Sequence, residues 1–456
     1  MMDECNQRFR DVERSTSPVP RVTLQTTTSP STETLLALSL SSNCEDNRYH
    51  ANSVKWILFS VIGGIIYGHN VSLAAILPYI ETTLKLSSTQ QEIISATATL
   101  SDAISMLFAG VLADTFGRRP TANLACVCSI FGAIGASLFS LSATTLILWR
   151  LLSGIGNGIS ILLLPMYISE CVDAASRSRL LSCYQLGVST GCTLPYIYMA
   201  IDQNWRRCLA FGSLPAVYIL LSLVYFLPES LHWSRLAKVS SGGRSESLTV
   251  AAASELVVGI LLAYVNNCID APLFYGPKII ASALPNYSQQ NANMFGLVSS
   301  LVGIFAVLFA GYSLVNQYPR RQLYLICLFL VVCCFLVLTV IFTVYPKPAD
   351  LVQHRVAIFI LLVTILMLNV VSTIGPGILF VVILSELFHQ TPKRATYTSW
   401  CTFAMSFFSL VINGTLLTLF DVFGVSITWG FYGCTYALCF AVLYRCLPDS
   451  KNRQLI

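Results

Sequence analysis

Charge is what this sequence has least of. Asp, Glu, Lys and Arg make up 11% of its 456 residues, against roughly 25% in an ordinary soluble domain. With 55% of the residues hydrophobic, the chain cannot shield its apolar surface from water by folding on itself, and a solvated globular domain is excluded. Nucleic-acid binding needs a solvated basic surface, and a net charge of +5 spread over this length does not supply one. Histidine is scarce as well, at five residues, and no His/Cys/acid spacing suits a metal. No nucleophile–base pattern or phosphate-cradling loop is present. An enzyme, a metal site and a cofactor are therefore not expected. The sixteen cysteines do not make a disulfide framework, because nearly all, such as Cys126, Cys128, Cys333 and Cys334, lie inside apolar runs and read as small packing residues.

Long apolar runs are abundant. About 20 apolar residues cross a bilayer as a helix. Runs of that kind fall near 54–79, 91–113, 121–142, 145–167, 180–200, 207–227, 250–276, 293–315, 322–344, 355–386, 397–420 and 426–447. The expected fold class is thus an all-α membrane protein. Residues 1–53, with Ser-Pro and Thr-rich stretches and no signal-peptide pattern, are expected to form a disordered tail. A first bundle of six helices is expected over 54–227, a polar serine-rich linker over 228–249, a second bundle over 250–447 and a short tail over 448–456. Arg118, Arg119, Arg177, Arg179, Arg320, Arg321, Lys393 and Arg394 fall in alternate loops with both basic tails, which places both termini in the cytoplasm. The stretch Gly311–Arg321 after the eighth run echoes Gly110–Arg119 after the second, as a duplicated half would.

The polar residues inside or beside these runs are the candidates for mechanism. Arg150 sits within the fourth run, where an unpartnered arginine costs several kcal/mol, and Gly154, Gly156 and Gly158 follow it, small enough for a neighbouring helix to approach closely. Asp114, Glu170, Glu229 and Glu386 stand at inner helix ends beside Arg118, Arg119, Arg177, Arg179, Arg320, Arg321 and Arg394, of which Arg118, Arg119, Arg177, Arg321 and Arg394 are the gate candidates. Partly exposed pairs of that kind are worth about 0–1 kcal/mol each, which suits a latch that opens and closes. Asp102 is an intramembrane acid and a possible coupling site. Tyr264, Asn266, Asn267 and Asp270 form a polar cluster in the seventh run, where amides offer both donor and acceptor to a polyol. Asn286-Tyr-Ser288 is an outer-loop glycosylation sequon.

Together, Gly110-Val-Leu-Ala-Asp114-Thr-Phe-Gly117-Arg118-Arg119, Arg150 with its three glycines, Pro165-Met-Tyr167-Ile-Ser-Glu170, Gln185-Leu186, Pro228-Glu229-Ser230 and Gly375-Pro376-Gly377 resemble the sugar-porter family of the major facilitator superfamily. The chain looks like a facilitated glucose or trehalose transporter with a divergent C-terminal half. The resemblance covers about 54–453 and implies two pseudo-symmetric six-helix bundles with substrate between them. It implies transport of a sugar or polyol at the plasma membrane by alternating access. It further implies Gln185 as a substrate ligand, the charged loop residues as a gate, and Asn70, where proton-coupled members carry Asp, as a mark of facilitated uniport. Three features depart from the family. Its span-seven amides are Tyr264 and Val265, its span-ten Trp is Val381, and the second-half motif has Asn316 and Pro319. Another small polar solute, proton-coupled or not, and a non-transporting sugar sensor stay open as alternatives.

Overall fold

The structure, a computed structural model, describes residues 54–230, 233, 250–269, 289–346, 354–388 and 393–447. The chain divides into Met1–Val54 and one compact unit, Lys55–Ile456, and the bundle of helices belongs to the second. Twelve long helical runs succeed one another, with a short helix, Leu77–Leu84, between the first two, and no strand occurs among the described residues. They are α1 (Val54–Val71), α2 (Ser88–Phe116), α3 (Arg118–Phe139), α4 (Ala143–Cys171), α5 (Ala174–Ile201), α6 (Trp205–Tyr225), α7 (Val250–Asn266), α8 (Gln289–Phe309), α9 (Arg320–Val344), α10 (Arg355–Leu387), α11 (Arg394–Phe423) and α12 (Val425–Cys446). Nine helices among the described residues are long and apolar enough to cross a bilayer, and α7 and α8 contribute shorter apolar stretches. Large apolar side chains such as Phe108, Phe131, Leu138, Phe305, Phe359 and Leu438 point outward, as a lipid-facing surface requires. The cysteines among the described residues are all free.

Each expected run overlaps a described helix, the seventh only as far as residue 269, with ends set by local chemistry rather than hydropathy. Ser87 and Gln90 close a reciprocal capping box at the start of α2, and Ser142 and Thr145 do the same for α4. The expected sixth run is two helices broken at Gly212. The expected tenth run contains a π-helical stretch, Thr373–Leu379, around Pro376; proline has no N–H for the ladder, and the widened turn absorbs the loss.

Glycine sets how closely helices pack. An added Cβ at Gly154 or Gly158 of α4 would fall 1.8 Å from the Ser101 hydroxyl or 2.2 Å from the Ser105 hydroxyl of α2. At Gly156 it would meet Ser129 of α3 at 2.4 Å. The three glycines after Arg150 thus let one helix touch two neighbours at backbone distance. Gly117, which joins α2 to α3, has φ +105°, a conformation that other residues avoid.

Candidate functional site

One end of the bundle gathers most of its buried charge. Arg118 is fully buried and donates through Nε and Nη2 to both oxygens of Glu170, at 3.1 and 3.2 Å, and through Nη1 to Asp114 at 3.0 Å. Glu170 also accepts from the Ser230 hydroxyl at 2.6 Å and lies 3.8 Å from Arg394. Asp114 turns its other oxygen to α11, where the Thr396 amide and hydroxyl donate at 3.1 and 2.8 Å. Arg394 donates to Ser169 of α4 at 2.9 Å and to the Ser385 carbonyl of α10. Arg320 at the start of α9 pairs with Glu386 and donates to Ser178 of α5 at 2.6 Å. These contacts tie the first six helices to the last six at three places: Asp114–Thr396, Glu170/Ser169–Arg394 and Ser178–Arg320.

This differs from the partly exposed pairs expected of the sequence. The side chains of Arg118 and Glu170 are both 0% exposed, so the pair is desolvated and bidentate. Removing one partner of such a pair strands a buried charge, which makes each side strongly dependent on the other. The ion pairs among the described residues do not include Glu229; it accepts instead from the backbone N–H groups of Arg118, Arg119 and Ser230. It thereby caps α3 at the N-terminus, where a carboxylate is favoured. The Arg119 side chain donates to the carbonyls of Leu223 and Val224, and Arg177 to that of Ser169 at 3.1 Å. Arg321 reaches the Tyr444 carbonyl, at 2.7 Å on the exposed side of α9. Its neighbour Arg320 holds the place in the network instead.

Toward the opposite end, Arg150 is buried and donates to the Asn70 side-chain oxygen at 2.8 Å and to the Asn70 carbonyl at 3.3 Å. Asp102, also buried, accepts from the Asn157 amide at 2.9 Å. Further out, Asn293 of α8 donates to the Tyr79 hydroxyl at 3.3 Å, and the Tyr196 ring lies over Gly296.

Of the expected substrate ligands, Gln185 alone keeps its amide free of protein hydrogen bonds among the described residues. It faces Gly377 in the π-helical stretch of α10, where an added Cβ would lie 3.3 Å from its Nε2. Asn70 is committed to Arg150, and Asn267 donates to the carbonyls of Met405 and Ala263 at 2.8 and 3.2 Å. Asn266 turns to the Met405 sulfur. Tyr264 shares a 2.7 Å hydrogen bond with Thr435 and packs against Phe408 and Tyr436. Asp270, Asn286, the tail 1–53 and the tail 448–456 lie outside the described residues, as does the expected linker apart from 228–230 and 233. Trp233, at the linker's start, donates to the Asp114 carbonyl at 2.9 Å. Thr396, Ser169, Ser178, Ser230 and Asn157 are the network members that sequence reasoning missed. Their only signal was a hydroxyl or amide beside a charged motif.

The matching family model, described as "Sugar (and other) transporter", covers residues 56–250 and 245–456. The arabinose-proton symporter of Bacillus subtilis is 24% identical over 444 residues, covering 86% of this chain and 91% of that protein. The D-xylose transporter of Levilactobacillus brevis is 24% identical over 452 residues, covering 87% and 93%. Among solved structures, the proton:xylose symporter XylE of E. coli, bound to 6-bromo-6-deoxy-D-glucose, superposes with a TM-score of 0.73 at 18% identity. That match covers 88% of this chain and 97% of XylE.

Proposed function

The chain belongs to the sugar-porter family of the major facilitator superfamily, and on that premise we propose that it carries a sugar or related polyol across the plasma membrane by facilitated uniport. The observation that carries this reading is Gln185, a free amide at the seam between the first six and last six helices, with a charged network bridging that seam at one end. Asp114, Arg118, Glu170, Arg320, Glu386 and Arg394 form the cytoplasmic gate. Glu229 and Arg119 hold the start of α3 in place for it, and Arg177 braces α4 against α5. The two halves are bonded to each other both at the charged end and at Tyr79–Asn293. Breaking either set admits substrate from one side. Both termini and the charged end face the cytoplasm, in two bundles joined by residues 228–249.

Asn70 supports uniport, because an amide cannot carry a proton through a cycle and it is already the partner of Arg150. Asp102→Asn keeps the shape and the contact with Asn157. It should leave uptake, and its flat response to a pH gradient, unchanged; a wild-type uptake driven by a proton gradient and lost in this variant would overturn uniport. Gln185→Ala should weaken substrate binding about tenfold, the worth of one hydrogen bond to a ligand, while the protein still reaches the membrane. Unaltered affinity would remove Gln185 from the site.

A second reading has its own support. The amides of Asn266 and Asn267 are spent on Met405 and Ala263, and Val381 stands where the family has Trp. Fewer of the seventh-run amides are then left for a substrate, which favours a smaller or less hydroxylated solute. Counterflow of labelled hexoses, pentoses and polyols into proteoliposomes at equal pH on both sides separates the readings. Accumulation of a hexose or pentose supports sugar uniport. Accumulation of a small polyol alone supports the second reading, and binding without flux points to a sensor.

A further inference from the structure

Away from the charged end, an aromatic ring of the first half is seated on a glycine of the second. Tyr196 stands on α5, 11 residues beyond Gln185. That spacing is three turns of helix and about 20° more, so both side chains leave α5 on nearly one face, roughly 16 Å apart. Tyr196 packs against the outer apolar cluster of the first half, which includes Ile80, Met199 and Trp205. The phenol end of its ring lies over Gly296 of α8. A Cβ added there would come 2.5 Å from Cε1, 2.7 Å from Cζ and 3.0 Å from the hydroxyl oxygen. Any residue but glycine at 296 would therefore displace the ring. One turn earlier on α8, Asn293 donates to the Tyr79 hydroxyl at 3.3 Å.

The two ends of α8 are held by different means. Just past its inner end, Arg320 at the start of α9 pairs with Glu386 and donates to Ser178 of α5 at 2.6 Å. Between that tie and Gly296 the chain passes through a π-helical stretch, Ala310–Leu314, whose Gly311 faces Ser182 of α5. Widened turns of this kind are places where helices bend. The outer contact is built from one neutral hydrogen bond and the ring on its glycine. Dispersion contacts are individually weak, so the outer part of α8 can leave α5 while the charged inner tie holds.

We propose that Tyr196 is the outer gate residue: seated on Gly296, its ring closes the seam between α5 and α8 outward of Gln185, and solute enters when the outer part of α8 swings off it. This role rests on the alternating-access reading and names the group that blocks the outer side.

Cys192 can report the gate. It is a free, half-buried thiol on α5, seven residues beyond Gln185 and within about 20° of its line, one turn inward of Tyr196. The test is labelling of the full-length protein in sealed vesicles by a membrane-impermeant maleimide added to the outer side, with modified Cys192 counted by mass spectrometry. Gly296→Leu fills the notch and expels the ring; Tyr196→Ala deletes the plug. Each should raise the Cys192 labelling rate about tenfold, the population change that one overpacked or missing core contact brings. Tyr196→Phe keeps the ring and should label like the wild type. Cys171, half-buried at the charged end of α4, is the control: reagent on the inner side should label it no faster in the variants. An unchanged Cys192 rate in both variants, or an equal rise at Cys171, would mean that the ring merely packs α5 against α8 and would overturn the gate. If Gly296→Leu does not fold, Tyr196→Ala decides alone. Because the readout is accessibility rather than flux, failure here leaves the transport reading to its own counterflow test.

Discussion

Replacing Glu170 with glutamine should open the charged end of the protein and lower its thermal stability. Glu170 is the hub of that end: both its oxygens serve Arg118, one also serves Ser230, and Arg394 stands 3.8 Å away. The amide keeps the volume but turns one acceptor into a donor aimed at a guanidinium. Arg394 then loses its neighbouring carboxylate, and Arg118 keeps Asp114 alone. Breaking one side of a buried pair costs about 3–5 kcal/mol, and water entry on opening relieves much of that cost. The penalty therefore falls on the closed form. A shift of about 3 kcal/mol lowers the closed population by roughly two powers of ten. Hydrogen–deuterium exchange should rise at Arg394–Thr398 and at Thr115–Arg119, with the unfolding midpoint falling in parallel. A lower midpoint with unchanged exchange would mean that the pair serves folding alone and has no part in gating.

The order of the helices was legible because a bilayer asks for a similar length of every span, and each of the twelve apolar runs overlaps one of α1 to α12. The charged end was legible in part. Asp114, Arg118 and Glu170 come from motifs whose charges must meet at a helix end, and the structure brings them together. Which neighbour turns inward was not legible. Arg320 and Arg321 are adjacent, about 100° apart on a helix. The buried face of α9 runs Arg320, Leu323, Tyr324, Cys327, Leu328 and Val331, which puts Arg320 inside. That face cannot be read from the chain, because α9 is apolar on all sides and shows no amphipathic period. The same limit hid the partners of the seventh-run amides. Asn267 reads as a polyol ligand until Met405 of α11 is seen 2.8 Å away, a contact set by helix packing between residues 138 apart in sequence. Burial was misjudged for a related reason: charges at helix ends look solvated in one dimension, yet α2, α4, α10 and α11 converge there and exclude water.

A steric change at the same end should act as strongly as the electrostatic one. Gly110 opens the motif that joins α2 to α3, and it faces α11 across the two halves. An added Cβ would lie 2.4 Å from the Ser399 hydroxyl and 2.5 Å from the Ala395 carbonyl oxygen. The hydroxyl can rotate away, but the carbonyl belongs to a helix backbone and cannot. Gly110→Leu therefore forces α2 and α11 apart where Asp114 meets Thr396, 3.1 Å from its amide. Overpacking costs about 1–3 kcal/mol when a core absorbs it. Here the strain vanishes if the charged end simply stays open. The closed population should fall by up to roughly two powers of ten, and counterflow with it, while each half keeps its own packing and the protein stays folded. Gly414→Leu is the control, since nothing lies within 4 Å of a Cβ there; it should transport like the wild type. Substrate should still bind Gly110→Leu from the charged side, detectable as ligand-induced stabilisation without flux. Wild-type counterflow in Gly110→Leu would show that α2 and α11 need not close for transport, and the alternating-access role of the charged end would fall.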